Sequence, residues 1–134
     1  MDTFNITIIG AGVIGLALAE ELSAHQGDVL IVEKNTGFGQ ETSSRNSGVI
    51  HAGIYFPAEY LKTALCVEGN RLLYTTCRER EIPHRKIGKL IVAANETEEA
   101  PLEGLKKQAE ENGVEGLTLL AERQARTLAH LPQL

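Results

Sequence analysis

The segment from Asn5 to Glu33, NITIIGAGVIGLALAEELSAHQGDVLIVE, constrains the fold more than any other part of this chain. It begins with a β-branched run ending in Ile8 and Ile9, passes through a glycine-rich turn, continues as a helical pattern and closes with the apolar run VLIV before a carboxylate. Apolar runs on either side of a helix are typical of two parallel strands joined by a crossover helix. The segment therefore predicts a complete βαβ unit of an α/β fold.

Three glycines with the spacing G-x-G-x-x-G occupy the turn between the first strand and the helix. Gly10 permits a sharp turn, Gly12 lets the backbone approach a pyrophosphate, and Gly15 lets the helix pack closely against the sheet. The helix N-terminus adds amide groups and a partial positive charge that attract phosphate. Glu33 follows the second strand, where a carboxylate accepts hydrogen bonds from ribose hydroxyls. The pattern predicts an adenine dinucleotide without a 2′-phosphate, either FAD or NAD.

The surrounding frame supports this interpretation more strongly than the glycine spacing, which occurs in many turns. Ala19 lies one helical turn beyond Gly15 and is small enough for close helix–strand contact, and Gly27 is placed to end the helix. The continuous apolar run Val29–Val32 is expected of a strand buried on both faces. The alternative is a βαβ unit whose glycine turn binds no ligand.

Composition argues against several classes of function. The formal net charge of −5 argues against a nucleic-acid surface, and the absence of Trp argues against a stacking platform for single strands. No apolar run approaches the ~20 residues that cross a bilayer, and the first residues lack the basic region of a signal peptide, so we expect a cytoplasmic protein. Cys66 and Cys77 are expected on one helix, too far apart to form a disulfide, with no metal-binding set nearby.

The rest of the chain alternates loop, helical and extended patterns. Residues 34–48 have the composition of a loop long enough to be functional. The further elements predicted are an apolar segment at Val49–Phe56, helices at about 58–81, from a Thr97 cap to about Asn112 and at Glu122–Leu128, and strands at Lys86–Ala94 and Leu117–Leu120. A full dinucleotide-binding domain has about five or six strands, so these elements predict an incomplete doubly wound sheet.

A second motif, ETSSRNSGVIHAGIYF, spans Glu41–Phe56. Its consecutive hydroxyl residues offer groups to phosphate and sugar oxygens, and Asn46 is able to orient the loop or meet a ribityl chain. Gly48 and Gly53 permit close passage of the backbone past a flat ring. Taken alone, a polar surface loop followed by a buried strand explains the segment equally well. Its position just after the ribose-binding carboxylate favours the functional interpretation.

The pairing of GAGVIGLALA…VLIVEK with SSRNSGVIHAGIYF resembles the D-amino-acid-oxidase-like superfamily of FAD-dependent oxidoreductases. Within it the chain looks most like the L-2-hydroxyglutarate oxidases and dehydrogenases, and the similarity continues through LKTALCVEGNRLLYTTC and IGKLIVA. The resemblance implies a Rossmann-like FAD-binding unit, FAD as cofactor, and oxidation of a small 2-hydroxy acid to the 2-oxo acid with hydride passing to the flavin. Related enzymes that oxidise glycerol 3-phosphate or an amino acid keep those substrates open as alternatives.

The resemblance also assigns roles to residues. The three glycines become the pyrophosphate turn, Glu33 meets the adenosine ribose, and Thr42–Gly48 follow the pyrophosphate and ribityl chain. Val49, Ile50 and His51 would then lie beside the isoalloxazine ring. Arg45 stands where the family often has a histidine. The predicted cofactor-binding residues are Gly10, Gly12, Val13, Ile14, Gly15, Glu33, Lys34, Thr42, Ser43, Ser44, Arg45, Asn46, Ser47, Gly48 and Val49.

His51 is the candidate catalytic residue. A neutral imidazole there is suited to accept the substrate hydroxyl proton as hydride leaves, whereas a cationic imidazole would hold a substrate carboxylate. The alternative is a packed or hydrogen-bonded histidine without a catalytic role. Arg45 is able to attract a dicarboxylate, although an exposed, ion-paired arginine explains it as well. We expect the other histidines, His25, His84 and His130, to face solvent.

The remaining hypotheses concern the chain as a whole. We expect residues 1–134 to be the N-terminal part of an FAD-binding domain, without activity of their own, whose exposed apolar surface favours self-association. A basic cluster suggests either a solvated face or a peripheral contact of the parent protein with the inner face of a membrane. The cluster comprises Arg78, Arg80, Arg85, Lys86 and Lys89. A non-catalytic adenine-nucleotide-binding module is the alternative of a different class.

Overall fold

The structure is a computed structural model that describes residues 3–129. The chain divides into two compact units, with the boundary between Val49 and Ile50. The first unit carries the predicted βαβ segment and the polar loop that follows it. The second unit is helical in its regular structure.

The first unit is built on two parallel strands joined by one helix. Strand β1 covers Ile6–Ile9, helix α1 covers Val13–Gln26 and strand β2 covers Val29–Val32. The strands pair in parallel, with Ile6 opposite Val29 and Ile9 opposite Val32. The sequence prediction of a βαβ unit is confirmed, and the first unit is an α/β structure with a small parallel sheet.

Glycines set the two ends of α1. Gly10 has φ of +105° as the chain leaves β1, and its amide donates to the carbonyl of Val32 at 2.7 Å. Gly27 has φ of +82° directly after the helix, a conformation that glycine adopts without a steric penalty. The turn that starts the helix and the turn that ends it therefore both depend on glycine, as the sequence predicted.

The interior of the first unit is small. Ile8, Ala11 and Ala19 are its buried apolar residues, and they bring α1 onto the sheet. The prediction that the apolar run of β2 is buried on both faces is wrong, because Val32 is 47% exposed, and at the end of β1 Ile9 is 89% exposed. A sheet of two strands with one helix lacks the neighbouring layer that would cover the other face.

Up to residue 129, where the described part ends, the second unit contains three α-helices. Helix α2 covers Leu61–Glu79, α3 covers Glu99–Glu111 and α4 covers Glu122–Ala129. These bounds confirm the predicted helices to within a few residues. Cys66 and Cys77 both lie on α2 and both are free thiols, as expected.

The start of the α3 region differs from the prediction that Thr97 caps it. A 3₁₀ turn at Glu96–Glu98 precedes α3, and the Asn95 side chain accepts a hydrogen bond from the Thr97 amide at 3.1 Å. Asn95 is therefore the capping residue, since its side-chain carbonyl reaches the amide two positions on. Gly113 has φ of +83° just after α3 and ends it as predicted.

The predicted strands at Lys86–Ala94 and Leu117–Leu120 are wrong. Both stretches are irregular, and within residues 3–129 the sheet consists of β1 and β2 alone. An extended segment becomes a strand only when a neighbouring strand accepts and donates its backbone hydrogen bonds. The apolar pattern of these segments is real, but the described part of the second unit, residues 50–129, offers no sheet edge for them to join.

The segment after the unit boundary is a loop rather than the buried strand that we considered. Its backbone carbonyls accept hydrogen bonds from side chains instead of from a neighbouring strand. Asn112 donates to the carbonyls of Gly53 and Phe56 at 3.2 and 2.9 Å, and the Thr63 hydroxyl donates to the carbonyl of Pro57 at 2.6 Å. Thr63 is only 2% exposed, so this polar group is buried with its partner.

The close packing of Gly15 gives a direct test of the βαβ geometry. A Cβ at this position would collide with the carbonyl oxygen of Gly10 and lie 3.5 Å from the Cγ2 atom of Ile8. We expect Gly15→Ala to lower the free energy of unfolding by roughly 1–3 kcal/mol. The added methyl group would meet a backbone oxygen, which cannot move aside as the end of a flexible side chain does. Urea unfolding followed by circular dichroism measures the change.

Gly69→Ala is the matched control. Gly69 also lies within a helix, but a Cβ there would meet nothing within 4 Å. Alanine is the better helix former, so the control is expected to raise the free energy of unfolding by about 0.5–1 kcal/mol. Equal unfolding of the Gly15→Ala variant and the unmodified chain would contradict the packing described for α1.

Candidate functional site

The carboxyl ends of β1 and β2 lie side by side, and the residues that follow them meet there. The Glu33 carboxylate, at the end of β2, accepts hydrogen bonds from the Ala11 amide at 2.7 Å and the Asn35 amide at 2.9 Å. Ala11 belongs to the glycine turn that follows β1. The structure therefore places the predicted ribose-binding carboxylate at the mouth of the predicted pyrophosphate turn.

These amides also stabilise the charged form of Glu33. The hydrogen bond from the Ala11 amide, followed by that from Asn35, holds the pKa of the Glu33 carboxyl below its ordinary value. Each amide stabilises the ionised form, because a carboxylate accepts more strongly than a carboxylic acid. Glu33 is a carboxylate at neutral pH, and a carboxylate is suited to accept hydrogen bonds from hydroxyl groups.

The N-terminus of α1 is the second part of the site. The amides of Val13, Ile14 and Gly15 have no acceptors within the helix, because the first turn of any α-helix leaves its donors unpaired. The Val13 amide donates to the Ser43 hydroxyl oxygen at 2.9 Å. A Cβ on Gly12 would lie 3.1 Å from that same oxygen, so glycine here leaves room for an oxygen atom above the turn.

The loop after β2 folds back over the turn. The Gly39 amide donates to the Ala11 carbonyl at 2.8 Å, and the Lys34 ammonium lies 3.0 Å from the Glu41 carboxylate. The side-chain hydrogen bond between them raises the pKa of Lys34 and lowers the pKa of Glu41. This part of the predicted loop is thus ordered by its own polar contacts.

The hydroxyl motif forms a single 3₁₀ turn at Thr42–Ser44. Asn46 braces the chain after it, since its amide nitrogen donates to the Ser43 carbonyl at 2.9 Å and its oxygen accepts from the Gly48 amide at 2.8 Å. We predicted that Asn46 either orients the loop or contacts a ribityl chain, and these contacts display the first of the two roles. Gly48 has φ of +64°, which explains why glycine stands there.

The remaining predicted cofactor residues of the first unit are exposed. The side chains of Val13 and Ile14 are 65% and 79% exposed, at the start of α1. Thr42, Arg45 and Ser47 also face solvent, as does Val49. Arg45 makes no ion pair with any of residues 3–129, so the alternative of an ion-paired arginine is not what the structure displays.

An open groove of about 570 Å³ runs along the first turns of α1. Val13 and Leu16 line one side, and Phe38 and Ser43 line the other. The groove contains the hydroxyl that meets the helix N-terminus. A ligand that follows the helix from the glycine turn would therefore meet both apolar surface and hydroxyl donors.

His51 belongs to the second unit. Its side chain is exposed, and its carbonyl accepts a hydrogen bond from the Asn70 side chain on α2 at 3.1 Å. Gly53 is buried with φ of +88°, and a Cβ there would lie 2.9 Å from the Cγ2 atom of Val67. The backbone that carries His51 is therefore fitted closely against α2, while the imidazole stays accessible.

The surroundings of the other histidines and of the basic cluster bear on the remaining sequence predictions. His25 and His84 are exposed as expected, whereas His130 lies outside the described residues. Lys86 and Lys89 lie over the rings of Tyr74 and Tyr55, at 5.4 and 4.5 Å from the ring centroids. Among the helices that the structure describes, none is long and apolar enough to cross a membrane.

Sequence reasoning did not select two residues that the structure brings into the site. Asn35 donates its backbone amide to Glu33, and the Asn35 side chain donates to the Glu41 carboxylate at 3.2 Å. The available signal was position, because Asn35 closely follows the predicted ribose ligand and Glu41 directly precedes the hydroxyl motif.

Comparison with known proteins identifies the family. Residues 5–134 match the DAO family, described as FAD dependent oxidoreductase. The chain is 50% identical over 119 residues to an L-2-hydroxyglutarate dehydrogenase, mitochondrial, of Arabidopsis thaliana, and the match covers 89% of this chain and 25% of that protein. It is 39% identical over 118 residues to a glycerol 3-phosphate dehydrogenase of Caloramator mitchellensis, covering 88% of this chain and 25% of that protein. The chain thus spans about a quarter of the length of these curated relatives.

A solved structure supports the same assignment. The dithionite-reduced L-α-glycerophosphate oxidase of Mycoplasma pneumoniae, with FAD bound, matches with a TM-score of 0.74 and 40% identity, over 89% of this chain and 30% of that one. These findings support neither the membrane contact nor the self-association suggested by the sequence. They confirm the predicted resemblance and cofactor class: the chain belongs to the DAO family of FAD-dependent oxidoreductases, which are enzymes.

Proposed function

We propose that the first unit binds the adenosine diphosphate half of FAD, in an enzyme that oxidises L-2-hydroxyglutarate to its 2-oxo acid. The observation that carries this proposal is the contact between the Ala11 amide and the Glu33 carboxylate, which joins a ribose acceptor to a phosphate-binding turn. The high identity to L-2-hydroxyglutarate dehydrogenases supports the substrate.

The donors and acceptors present fit the cofactor. Each oxygen of a carboxylate has more than one lone pair, so Glu33 is able to accept ribose hydroxyl protons in addition to its two amide hydrogen bonds. Ser43 accepts from Val13 and therefore keeps its hydroxyl proton for a phosphate oxygen. The N-terminus of α1 supplies amide donors and the favourable end of the helix dipole.

The rest of the predicted set completes the proposed path. Val13, Ile14 and Lys34 flank the turn and the ribose carboxylate, and the segment from Thr42 to Val49 would follow the diphosphate and the ribityl chain. Asn46 and Gly48 act there by shaping the backbone, as their mutual hydrogen bond indicates.

We propose His51 as the proton acceptor of the reaction. When bound, FAD supplies the two-electron acceptor for the hydride that leaves the substrate carbon. The His51 imidazole takes the proton of the substrate hydroxyl, so that the carbon–oxygen bond becomes a carbonyl. Its accessible side chain and its tightly held backbone suit a residue that must reach a substrate from a fixed position.

We also propose that residues 1–134 form the N-terminal part of an FAD-binding domain with a doubly wound sheet. The exposure of Ile9 and Val32 supports this, because strands inside such a sheet are covered on both faces. The short length of the match relative to the curated relatives is consistent with the same organisation.

Glycerol 3-phosphate is the second candidate substrate. Specific observations favour it: a glycerol 3-phosphate dehydrogenase is 39% identical to this chain, and the FAD-bound glycerophosphate oxidase is 40% identical. Anaerobic addition of each compound to the flavin-loaded enzyme, of which this chain is proposed to form the N-terminal part, separates the two, because only the true substrate bleaches the flavin absorbance rapidly.

Replacement of the ribose acceptor tests the cofactor site. In Glu33→Gln, the side chain loses its charge and turns an amide group toward backbone donors, so we expect FAD to bind roughly tenfold more weakly. Quenching of flavin fluorescence measures the dissociation constant. Glu21→Gln is the control, since Glu21 lies on α1 in an exposed pair with His25. Equal FAD affinity of the Glu33→Gln variant and the unmodified chain would refute the ribose assignment.

The depressed pKa of Glu33 predicts a dependence of stability on pH. A carboxyl whose pKa is lower in the folded chain than its ordinary value of 4.5 stabilises the fold at higher pH, and this stabilisation is lost as the pH falls through the folded pKa. We expect the urea unfolding free energy to fall below about pH 4.5, and to fall less steeply in Glu33→Gln. Identical pH profiles for the two proteins would show that Glu33 makes no such contribution. Glu41 has a depressed pKa as well and accounts for part of the remaining slope.

The proposed role of His51 is tested by the rate of flavin reduction. In the enzyme of which this chain is proposed to form the N-terminal part, we expect His51→Asn to slow anaerobic reduction by L-2-hydroxyglutarate by about 10²-fold or more, because the hydroxyl proton loses its acceptor, while FAD affinity stays unchanged. Stopped-flow absorbance measures the rate, and His84→Asn is the control because His84 is exposed beside Tyr74. An undiminished rate in His51→Asn would remove His51 from the chemistry.

A further inference from the structure

A path of hydrogen bonds, linked by short stretches of covalent chain at Glu41 and Ser43–Ser44, leaves the glycine turn and returns to it through the loop after β2. The path starts at the Ala11 amide, which donates to Glu33 at 2.7 Å. The Asn35 amide donates to the other oxygen of Glu33 at 2.9 Å, and the Asn35 side chain donates to Glu41 at 3.2 Å. The first half of the path thus connects the ribose carboxylate with Glu41.

The second half of the path runs from Glu41 to the start of α1. The Glu41 carbonyl accepts from the Ser44 amide at 3.1 Å and from the Ser44 hydroxyl at 3.0 Å. These contacts form the 3₁₀ turn that carries Ser43, and the Ser43 hydroxyl accepts from the Val13 amide at 2.9 Å. The path therefore ends on the opposite side of Gly12 from its start.

Glu41 is the residue at which the two halves meet. Its side chain holds Asn35 and the Lys34 ammonium, whereas its carbonyl holds the serine turn. The Gly39 amide donates to the Ala11 carbonyl at 2.8 Å, which keeps the intervening loop against the glycine turn. A change in the Glu41 side chain would thus release one anchor of the segment that places Ser43.

We propose that Glu41 is a positioning residue for the cofactor diphosphate, acting by holding the Ser43 hydroxyl over the N-terminus of α1. This inference rests on the proposed function, since it takes the diphosphate to bind at that N-terminus. Glu41 does not itself touch the phosphate in this arrangement. It acts through the turn at Thr42–Ser44.

The sign of the effect separates positioning from simple electrostatics. Glu41 is negative, and its removal would leave the Lys34 ammonium without this carboxylate. Coulomb attraction alone therefore predicts that Glu41→Gln binds a diphosphate more tightly. Positioning predicts the opposite, because a displaced Ser43 no longer offers its hydroxyl beside the Val13 amide.

The experiment compares two nucleotide probes on the 134-residue chain by isothermal titration calorimetry. ADP carries the diphosphate, whereas adenosine carries the ribose without it. We expect Glu41→Gln to weaken ADP binding by about two- to fivefold, the range for loss of an exposed ion pair, and to leave adenosine binding unchanged. Tighter or unchanged ADP binding would overturn the proposal, and so would an equal loss for adenosine.

Glu122→Gln is the matched control. It removes the same formal charge from an exposed pair, because Glu122 lies 2.8 Å from Arg126 on α4. Its ADP affinity is expected to equal that of the unmodified chain. A similar loss in this control would mean that the loss in Glu41→Gln does not arise from the position of Ser43, and would overturn the proposal.

A double-mutant cycle tests whether Glu41 acts through Ser43. If it does, Glu41→Gln causes no further loss of ADP affinity in a Ser43→Ala background, because the group that it positions is already absent. Additive losses would show that Glu41 acts by another route and would overturn the proposal.

A measurement without nucleotide distinguishes failure of this inference from failure of the proposed function. Hydrogen exchange of the Val13 amide reports its bond to Ser43, and we expect it to accelerate in Glu41→Gln but not in Glu122→Gln. An unchanged exchange rate of the Val13 amide in Glu41→Gln would contradict the proposal that Glu41 keeps Ser43 in position. Absence of both ADP and FAD binding in the unmodified chain would instead defeat the proposed function, and the positioning role with it.

Discussion

The hydrogen bond between the Ala11 amide and the Glu33 carboxylate is the contact on which the rest of the site depends. It forms only because β1 and β2 run parallel in a register that brings their carboxyl ends together. A helix between the strands is what allows this parallel arrangement, since a short turn would return the chain antiparallel. The proposed ribose acceptor and the proposed phosphate turn are far apart in sequence, and the βαβ connection makes them neighbours.

The parts of the fold that the sequence predicted correctly are those set by local geometry. Gly10, Gly27 and Gly113 each occupy a left-handed backbone conformation at the end of an element. The residue type alone predicts such positions, because glycine adopts this conformation without a steric penalty. The helices were predicted within a few residues because helical periodicity is also a local pattern of residue types. By contrast, the segment Lys86–Ala94 has the composition of a strand but no partner in its unit, and pairing is a property that residue type does not encode.

In the site, too, the features set by local sequence were predicted, and those set by the path of the chain were not. The glycine turn and Glu33 were predicted because each follows an apolar strand, a position from which side chains meet at one edge of a parallel sheet. Asn35 and Glu41 were missed because their importance arises from the path of the loop, which brings the Asn35 amide to Glu33 and the Asn35 side chain to Glu41. In the second unit, likewise, Asn112 and Thr63 hold carbonyls of a loop that carries no strand pairing.

In the proposed binding mode, the contact between Ser43 and Val13 determines how much free energy a bound diphosphate contributes. The Val13 amide is already hydrogen-bonded to a neutral hydroxyl, so a phosphate oxygen there either shares the amide or replaces the hydroxyl. The net gain is then the difference between a charged and a neutral acceptor, which is smaller than the strength of a hydrogen bond formed from nothing. The same contact holds the serine turn over Gly12, so that the Ser43 hydroxyl is already oriented as a donor when the diphosphate binds. Under the proposed function, the affinity of this turn for a diphosphate therefore depends on how firmly the loop from Lys34 to Ser44 is held, in addition to the glycines that make the space.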